Sequence, residues 1–170
     1  MINNIEELYE NSLGKELTGL FEKCLTKNKD EIIDIFKENG YEISDEFANE
    51  CCNYCKEVEP VNEADLVYIA GGSDEGDCLP FSARGCLERA IKGLEKYKSG
   101  ATVEIIADVA QAIIDDLKDL LQRPYDKISF KKELSQIEIR VAFLPLVHNN
   151  GKDIALRNIT EAQRITSRES

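Results

Sequence analysis

The chain has 170 residues, of which 42% are hydrophobic and 32% are charged, a composition typical of a folded globular protein. Its net charge of −12 argues against nucleic-acid binding, because binding to phosphates needs a basic surface. The sequence contains no run of about 18 apolar residues, so it predicts no transmembrane segment.

The charge is distributed unevenly along the chain. Residues 1–72 hold 6 Lys and Arg against 17 Asp and Glu, a net charge of −11. Residues 73–170 hold 15 against 16, a net charge of −1. Such asymmetry between two halves predicts two functional parts, with a boundary near residue 72.

The N-terminal part predicts three short amphipathic helices. In the first, apolar residues recur at spacings of three and four over Ile5–Leu25, with Gly14 as the weak point of the helix. Asn28 and Ser44 are expected N-caps of the second and third helices, because their side chains can accept hydrogen bonds from free backbone N–H groups. Gly40 is expected to end the second helix in a left-handed conformation.

The twelve-residue segment V-N-E-A-D-L-V-Y-I-A-G-G ends this part of the chain. Val61, Leu66 and Ile69 are spaced so that they lie on roughly one side of a short helix. Gly71 and Gly72 have no Cβ and can therefore lie extended in a narrow protein groove. The segment is typical of a docking helix that leads into a cleavable strand. The alternative, that the two glycines only end a helix in a turn, stays open.

On this segment, and on D-E-I-I-D-I-F-K-E-N-G-Y-E-I-S-D-E-F over Asp30–Phe47, residues 1–72 resemble a Nif11-type leader. This is a leader class of ribosomally made, modified peptide precursors (RiPPs). In that family, a cysteine peptidase fused to an ABC exporter reads three apolar positions and cuts after the second glycine. The resemblance therefore implies a precursor that is made in the cytoplasm and a bacteriocin-like cargo that is exported after the leader is removed. The leader-recognition residues and the cleavage motif that it implies are Val61, Leu66, Ile69, Gly71, Gly72 and Ser73.

The C-terminal part reads as a folded cargo domain over residues 81–170. Residues 73–80 are polar, contain glycine and predict a flexible hinge. Helices are expected at about 81–98 and 102–122, and the second carries the widest apolar stripe in the chain. The polar face of that helix is acidic, which favours packing in a core over insertion into a membrane surface.

Beyond the second cargo helix the apolar period changes. Ile137, Ile139, Val141 and Phe143 alternate with other residues, which predicts a strand, and the Asn-Asn-Gly that follows is typical of a turn. We therefore expect a β-hairpin at about 136–158. A helix over residues 131–144 fits the same apolar positions and stays open. The predicted fold class is mainly α, with a helical leader, a helical cargo and this hairpin (α+β).

The cysteines raise two further hypotheses. Cys51, Cys52 and Cys55 lie close enough on one helix to ligate a metal, with Cys24 as a fourth ligand if the first and third helices pack together. The favoured interpretation is that they are small buried hydrophobic residues. We predict no metal and no other cofactor.

The second hypothesis concerns Cys78 and Cys86, which can close a small ring. One route is a disulfide in an oxidising space, and another is a thioether with dehydrated Ser82. A modifying enzyme that acts between Ser73 and Cys86 would then be a further partner.

The sequence supports no enzymatic function. It has one histidine and no G-x-S-x-G, H-E-x-x-H or phosphate-binding loop. Two hypotheses of function lead, and an enzyme is kept only as a remote third. In the first, the chain is a precursor that is cut after Gly72. In the second, the whole chain folds as one uncleaved protein–protein interaction module, and a core shared by residues 1–60 and 81–121 would favour it.

Overall fold

A computed structural model describes residues 1–12, 17–58 and 81–168, and these residues form helices and no sheet. In chain order the helices are α1 Ile5–Ser12, α2 Thr18–Cys24, α3 Lys29–Glu38, α4 Asp45–Lys56, α5 Phe81–Gly100, α6 Glu104–Gln122, α7 Lys127–Ala142 and α8 Gly151–Arg168. None of these helices is both long enough and apolar enough to cross a bilayer.

The expected caps of α3 and α4 are confirmed. The Asn28 side chain accepts a hydrogen bond of 2.9 Å from the backbone N–H of Glu31, and the Ser44 hydroxyl accepts one of 3.2 Å from that of Phe47. Gly40 follows α3 with a φ of +89°, the left-handed conformation that glycine adopts without strain. Local sequence signals therefore fix the ends of these helices.

The prediction of one continuous first helix is wrong. The described residues contain two helices here, and Leu17, at the start of α2, has non-helical angles of φ −108° and ψ 1°. Leu17 is nevertheless buried, so the apolar spacing correctly marks the core side of both helices. Gly14, which weakens a helix at this point of the sequence, lies outside the described residues, as do its neighbours 13, 15 and 16.

The two helices predicted at about 81–98 and 102–122 are confirmed as α5 and α6. The apolar stripe of α6 faces the core as expected, and its fully buried members are Ile106, Ala110, Ile113, Ile114, Leu117 and Leu120. The acidic pair Asp115 and Asp116 lies on the exposed side of the same helix. The 3.6-residue period of this segment thus predicts both its structure and its orientation.

The predicted hairpin at 136–158 is wrong, because these residues form the second half of α7, a connection, and the first half of α8. The open alternative of a helix over 131–144 agrees better with α7. Helix α7 contacts α2, α4, α6 and α8, so it is buried on several sides at once. Apolar residues are therefore needed on more than one face of α7, and these faces together produce the alternation that resembles a strand.

The Asn-Asn-Gly turn is correct as a turn, but it connects two helices. The side chain of Asn149 donates a hydrogen bond of 2.8 Å to the backbone oxygen of Lys96 in α5. The Lys96 ammonium donates one of 2.6 Å to the side-chain oxygen of Asn150, and the buried Tyr97 hydroxyl donates one to the backbone oxygen of Pro145. The connection is thereby attached to the C-terminal end of α5.

Helices α5 and α8 approach so closely that side chains have no room at their point of contact. A Cβ added to Gly151 would lie 2.8 Å from Cα of Tyr97 and closer still to the backbone oxygen of Gly93. A Cβ on Gly93 would lie 2.9 Å from the backbone oxygen of Gly151. Glycine is needed at both positions because the obstructing atoms belong to the backbone and cannot rotate away.

We predict that Gly151→Ala lowers the free energy of unfolding by at least about 1–3 kcal/mol, because the added methyl group forces α5 and α8 apart. The matched control is Gly19→Ala in α2, where an added Cβ meets nothing within 4 Å. That control should raise the stability by up to about 1 kcal/mol through helix propensity. Urea denaturation followed by circular dichroism measures both, and equal stability of the two variants would contradict the close approach.

Helices from both ends of the chain share one hydrophobic core. Helix α1 contacts α6, and α2 and α4 both contact α7. The buried apolar residues of these elements belong to one continuous cluster. Ile2, before α1, is also held in place by backbone hydrogen bonds. Its N–H donates to the backbone oxygen of Glu42 at 2.7 Å, and its oxygen accepts from the backbone N–H of Ser44 at 2.9 Å.

Candidate functional site

The predicted leader-recognition and cleavage residues lie outside the described residues. These are Val61, Leu66, Ile69, Gly71, Gly72 and Ser73, together with Cys78 of the predicted ring. The described helices stop at Lys56 and resume at Phe81. The site that the structure does describe is the contact between the N-terminal segment (residues 1–58) and the C-terminal segment (residues 81–168).

An aromatic cluster forms the centre of this contact. Phe143, which follows α7, is fully buried. The ring of Phe21 in α2 stacks on it with a centroid distance of 4.1 Å and an interplanar angle of 11°. The ring of Tyr54 in α4 lies 5.1 Å away at an angle of 51°. The rings from the two segments thus remove each other from water, which is worth about 1.5–3 kcal/mol for each fully buried side chain.

Lys152 at the start of α8 adds a polar contact beside these rings. Its ammonium lies 3.3 Å from a carboxylate oxygen of Glu57 and 4.9 Å from the centre of the Tyr54 ring. It also donates a 3.0 Å hydrogen bond to the backbone oxygen of Leu144. Burial lowers the pKa of Lys152, and the carboxylates of Glu57 and Glu50 oppose that shift. We call Phe21, Tyr54, Glu57, Phe143 and Lys152 the inter-segment site.

Sequence reasoning missed the inter-segment site. The apolar alternation places Phe143 in a predicted strand, and no pattern in the sequence singles out Lys152. Phe21 lies on α2 and Phe143 follows α7, far apart in the sequence, so no local period relates them. A single sequence gives no signal for such a long-range pair. The only hint is that Lys152 lies in the first turn of α8, where the helix dipole disfavours a positive charge unless a carboxylate is near.

Two of the three cysteines of α4 contact the C-terminal end of α2 and the turn that follows it. The Cys55 thiol donates a hydrogen bond of 3.3 Å to the backbone oxygen of Cys24, and the Cys52 thiol makes a 3.9 Å contact with that of Lys27. Cys24 and Cys51 are fully buried. Helices α2 and α4 therefore pack together, and the thiols of Cys52 and Cys55 are directed at backbone oxygens at the end of α2 and in the turn after it.

The candidate metal ligands form no metal site in this arrangement. In the described ranges, no group of three or more His, Cys, Asp or Glu side chains is placed to hold a metal ion. Two of the three thiols on α4 are directed at backbone oxygens of α2 and its C-terminal turn. Tetrahedral ligation would instead require the sulfur atoms to converge on one point.

The buried thiols have raised pKa values. Burial raises the pKa of Cys24 from 9.0 to about 12 and that of Cys55 to about 11, with smaller contributions from the neighbouring thiols. Burial also raises the pKa of Cys51. These thiols stay protonated and unreactive at neutral pH in the folded protein.

We predict that the protein loses stability above about pH 9. The unfolded chain ionises these thiols near pH 9.0 while the folded chain keeps their protons, so the unfolded state binds fewer protons and the free energy of unfolding falls as the pH rises. The loss between pH 9 and 10 should be roughly 1–3 kcal/mol. Lys152 acts in the opposite direction, since burial lowers its pKa, but it is one group against three thiols, and burial also raises the pKa values of Tyr54 and Tyr97, which adds to the loss. Urea denaturation under reducing conditions at pH 8, 9 and 10 measures the slope.

The double variant Cys24→Ala/Cys51→Ala should flatten that slope, because it removes two of the shifted thiols. The control is Ile32→Val, a truncation at another fully buried position of the N-terminal segment. It should lower the stability at every pH without changing the slope. A steep slope in the double variant would show that other groups cause the alkaline loss.

Cys86 of the predicted ring lies in α5 and is buried. The guanidinium of Arg89 donates a hydrogen bond of 3.3 Å to its sulfur atom. Ser82, the other candidate for a thioether, lies one turn earlier on the exposed side of the same helix. Ring formation at Cys86 would therefore need the first turns of α5 to open.

A polar groove of about 380 Å³ lies between α2, α6 and α7. Its arginines are already paired, since Arg140 bonds to Asp116, and Arg123 bonds to both Asp119 and Glu133. The lining that the structure describes contains no histidine, cysteine or serine. The groove thus presents arginine side chains that already have carboxylate partners.

Comparisons with known proteins give no family assignment: no family description, no curated protein and no solved structure matches the chain. The resemblance of residues 1–72 to Nif11-type leaders therefore stays a prediction from the sequence.

Proposed function

We propose that this chain is the precursor of an exported peptide or small protein of the bacteriocin kind. Residues 1–72 act as a leader, and an exporter-linked cysteine peptidase removes it by cutting after Gly72. The observation that carries the proposal is the placement of Val61, Leu66 and Ile69 before Gly71-Gly72 at the end of an acidic helical segment.

The position of this motif in the chain supports the proposal. Helix α4 ends at Lys56 and helix α5 begins at Phe81, so the motif lies between two helical segments. The net charge also changes at the glycine pair, from −11 before it to −1 after it. A cut after Gly72 would divide the chain into an acidic leader and a cargo whose charge is nearly balanced.

Recognition by a peptidase would depend on the three apolar side chains. A groove that buries Val61, Leu66 and Ile69 gains about 1.5–3 kcal/mol for each of them before ordering costs are subtracted. The glycines then let the chain pass extended through a narrow catalytic cleft, because they have no side chain that would meet its walls.

We predict that Leu66→Asp slows cleavage at least about tenfold, since a buried carboxylate replaces an apolar contact worth about 1.5 kcal/mol or more. Val67→Asp is the matched control, because it introduces the same charge one position further along, off the apolar face. Cleavage is followed by mass spectrometry over time with the isolated peptidase domain. Equal rates for Leu66→Asp and the unchanged chain would contradict the recognition mechanism.

The intact mass of the protein recovered from the culture medium of its source organism tests the proposal directly. A species that begins at Ser73 is the expected result. Losses of water from that mass would report dehydration of serine or threonine in the cargo. An uncut chain as the sole recovered species would overturn the precursor function.

The second candidate function is an uncleaved protein–protein interaction module, and the shared core favours it. Helices α1, α2 and α4 contact the C-terminal helices α6 and α7 directly. A leader that only addresses the chain to an exporter would not need these contacts. Under this alternative, the chain persists at its full length of 170 residues and melts in one transition.

A further inference from the structure

Both segments supply aromatic rings to the contact between them. Phe143 comes from the C-terminal segment, and both rings packed on it, Phe21 and Tyr54, come from the N-terminal segment. All three side chains are at most 7% exposed. Separation of the segments would return these rings to water on both sides of the contact.

Both segments also supply polar partners to Lys152 at this contact. Lys152 is 5% exposed, and its ammonium has Glu57 and the Tyr54 ring on one side and the backbone oxygen of Leu144 on the other. A buried ammonium that loses its carboxylate and its aromatic neighbour is strongly destabilised. The N-terminal segment therefore supplies part of what the start of α8 requires.

The contact also extends well beyond these five residues. Helix α1 lies on α6, and Thr18, Gly19 and Glu22 of α2 line one groove with residues of α6 and α7. The buried residues of both segments form one cluster, so neither segment has a core closed off from the other. An apolar surface of this extent does not stay exposed in a protein that remains soluble.

We infer that the N-terminal segment is a cap that remains bound to the C-terminal segment after the chain between them is cut. The partner of the surface around Phe143 is thus residues 1–58 of the same molecule, first within one chain and then as a separate piece. The cut product is a non-covalent complex, and the cargo surface stays covered until the cap is displaced. The inference rests on the proposed function only for the natural occurrence of a cut.

The experiment cuts the full chain at an introduced site, so that it does not depend on the natural peptidase. A recognition sequence for a site-specific protease, flanked by Gly/Ser residues that keep it accessible, is inserted between Gly72 and Ser73. The cut protein is examined by size-exclusion chromatography with light scattering. We expect both pieces to elute together with the mass of the uncut chain. Elution of the pieces apart, or loss of one piece to aggregation, would overturn the inference.

A matched pair of variants locates the binding surface. Phe143→Ala removes the ring at the inter-segment site, and Phe130→Ala removes a ring of equal size that packs on Tyr125 within the C-terminal segment. The first should weaken association of the cut pieces at least tenfold on dilution, and the second should leave association unchanged. Equal effects of the two variants would show that the surface around Phe143 does not hold the cap.

A milder variant keeps the test decisive if Phe143→Ala fails to fold. Phe21→Leu keeps the side chain apolar and removes only the stacked ring. Circular dichroism of the uncut variant first establishes that it is folded, and faster exchange of its cut N-terminal piece is then the expected result. If the natural peptidase never cuts after Gly72 while the introduced cut leaves a complex, the proposed function fails and the inference stands. Separation of the pieces after the introduced cut overturns the inference, whereas cleavage by the natural peptidase after Gly72 alone decides the proposed function.

Discussion

The burial of Phe143 between Phe21 and Tyr54 is the interaction on which the rest of the architecture depends. It joins the first helices of the chain to the connection between α7 and α8, and Lys152 then finds Glu57 beside the same rings. Burial here is mutual, since each ring is covered by a group from the other segment. Charge and the sequence motif divide the chain into two parts, but the two segments share one hydrophobic core.

The local features of this fold follow from the sequence, and the long-range ones do not. Asn28, Ser44 and Gly40 act within a few residues of their own positions, so their capping roles are legible in the chain. The stripe of α6 is equally legible because the helix is buried on one face only. The stacking of Phe21 on Phe143 depends on how separate helices pack, and the spacing of residues in a single sequence does not predict it.

The error at α7 has a specific physical origin. A hydrophobic period is informative when an element has one buried side, as α6 does, and becomes ambiguous when neighbours cover several sides. Ile137, Ile139 and Val141 are all buried in a helix, although their alternation fits a strand equally well. The sequence also does not predict the close approach of Gly93 and Gly151, because glycine occurs both in turns and where two helix backbones touch, and the residue type does not distinguish the two.

The buried thiols of Cys24 and Cys51 can report local opening of the folded protein. A small alkylating reagent reaches them only in conformations in which α2 and α4 have parted, so the rate of alkylation measures how often that parting occurs. Half-exposed Cys52 on the same helix provides a reference rate that needs less opening. The frequency with which α2 and α4 separate inside the N-terminal segment can thus be measured on native residues, without attaching any probe.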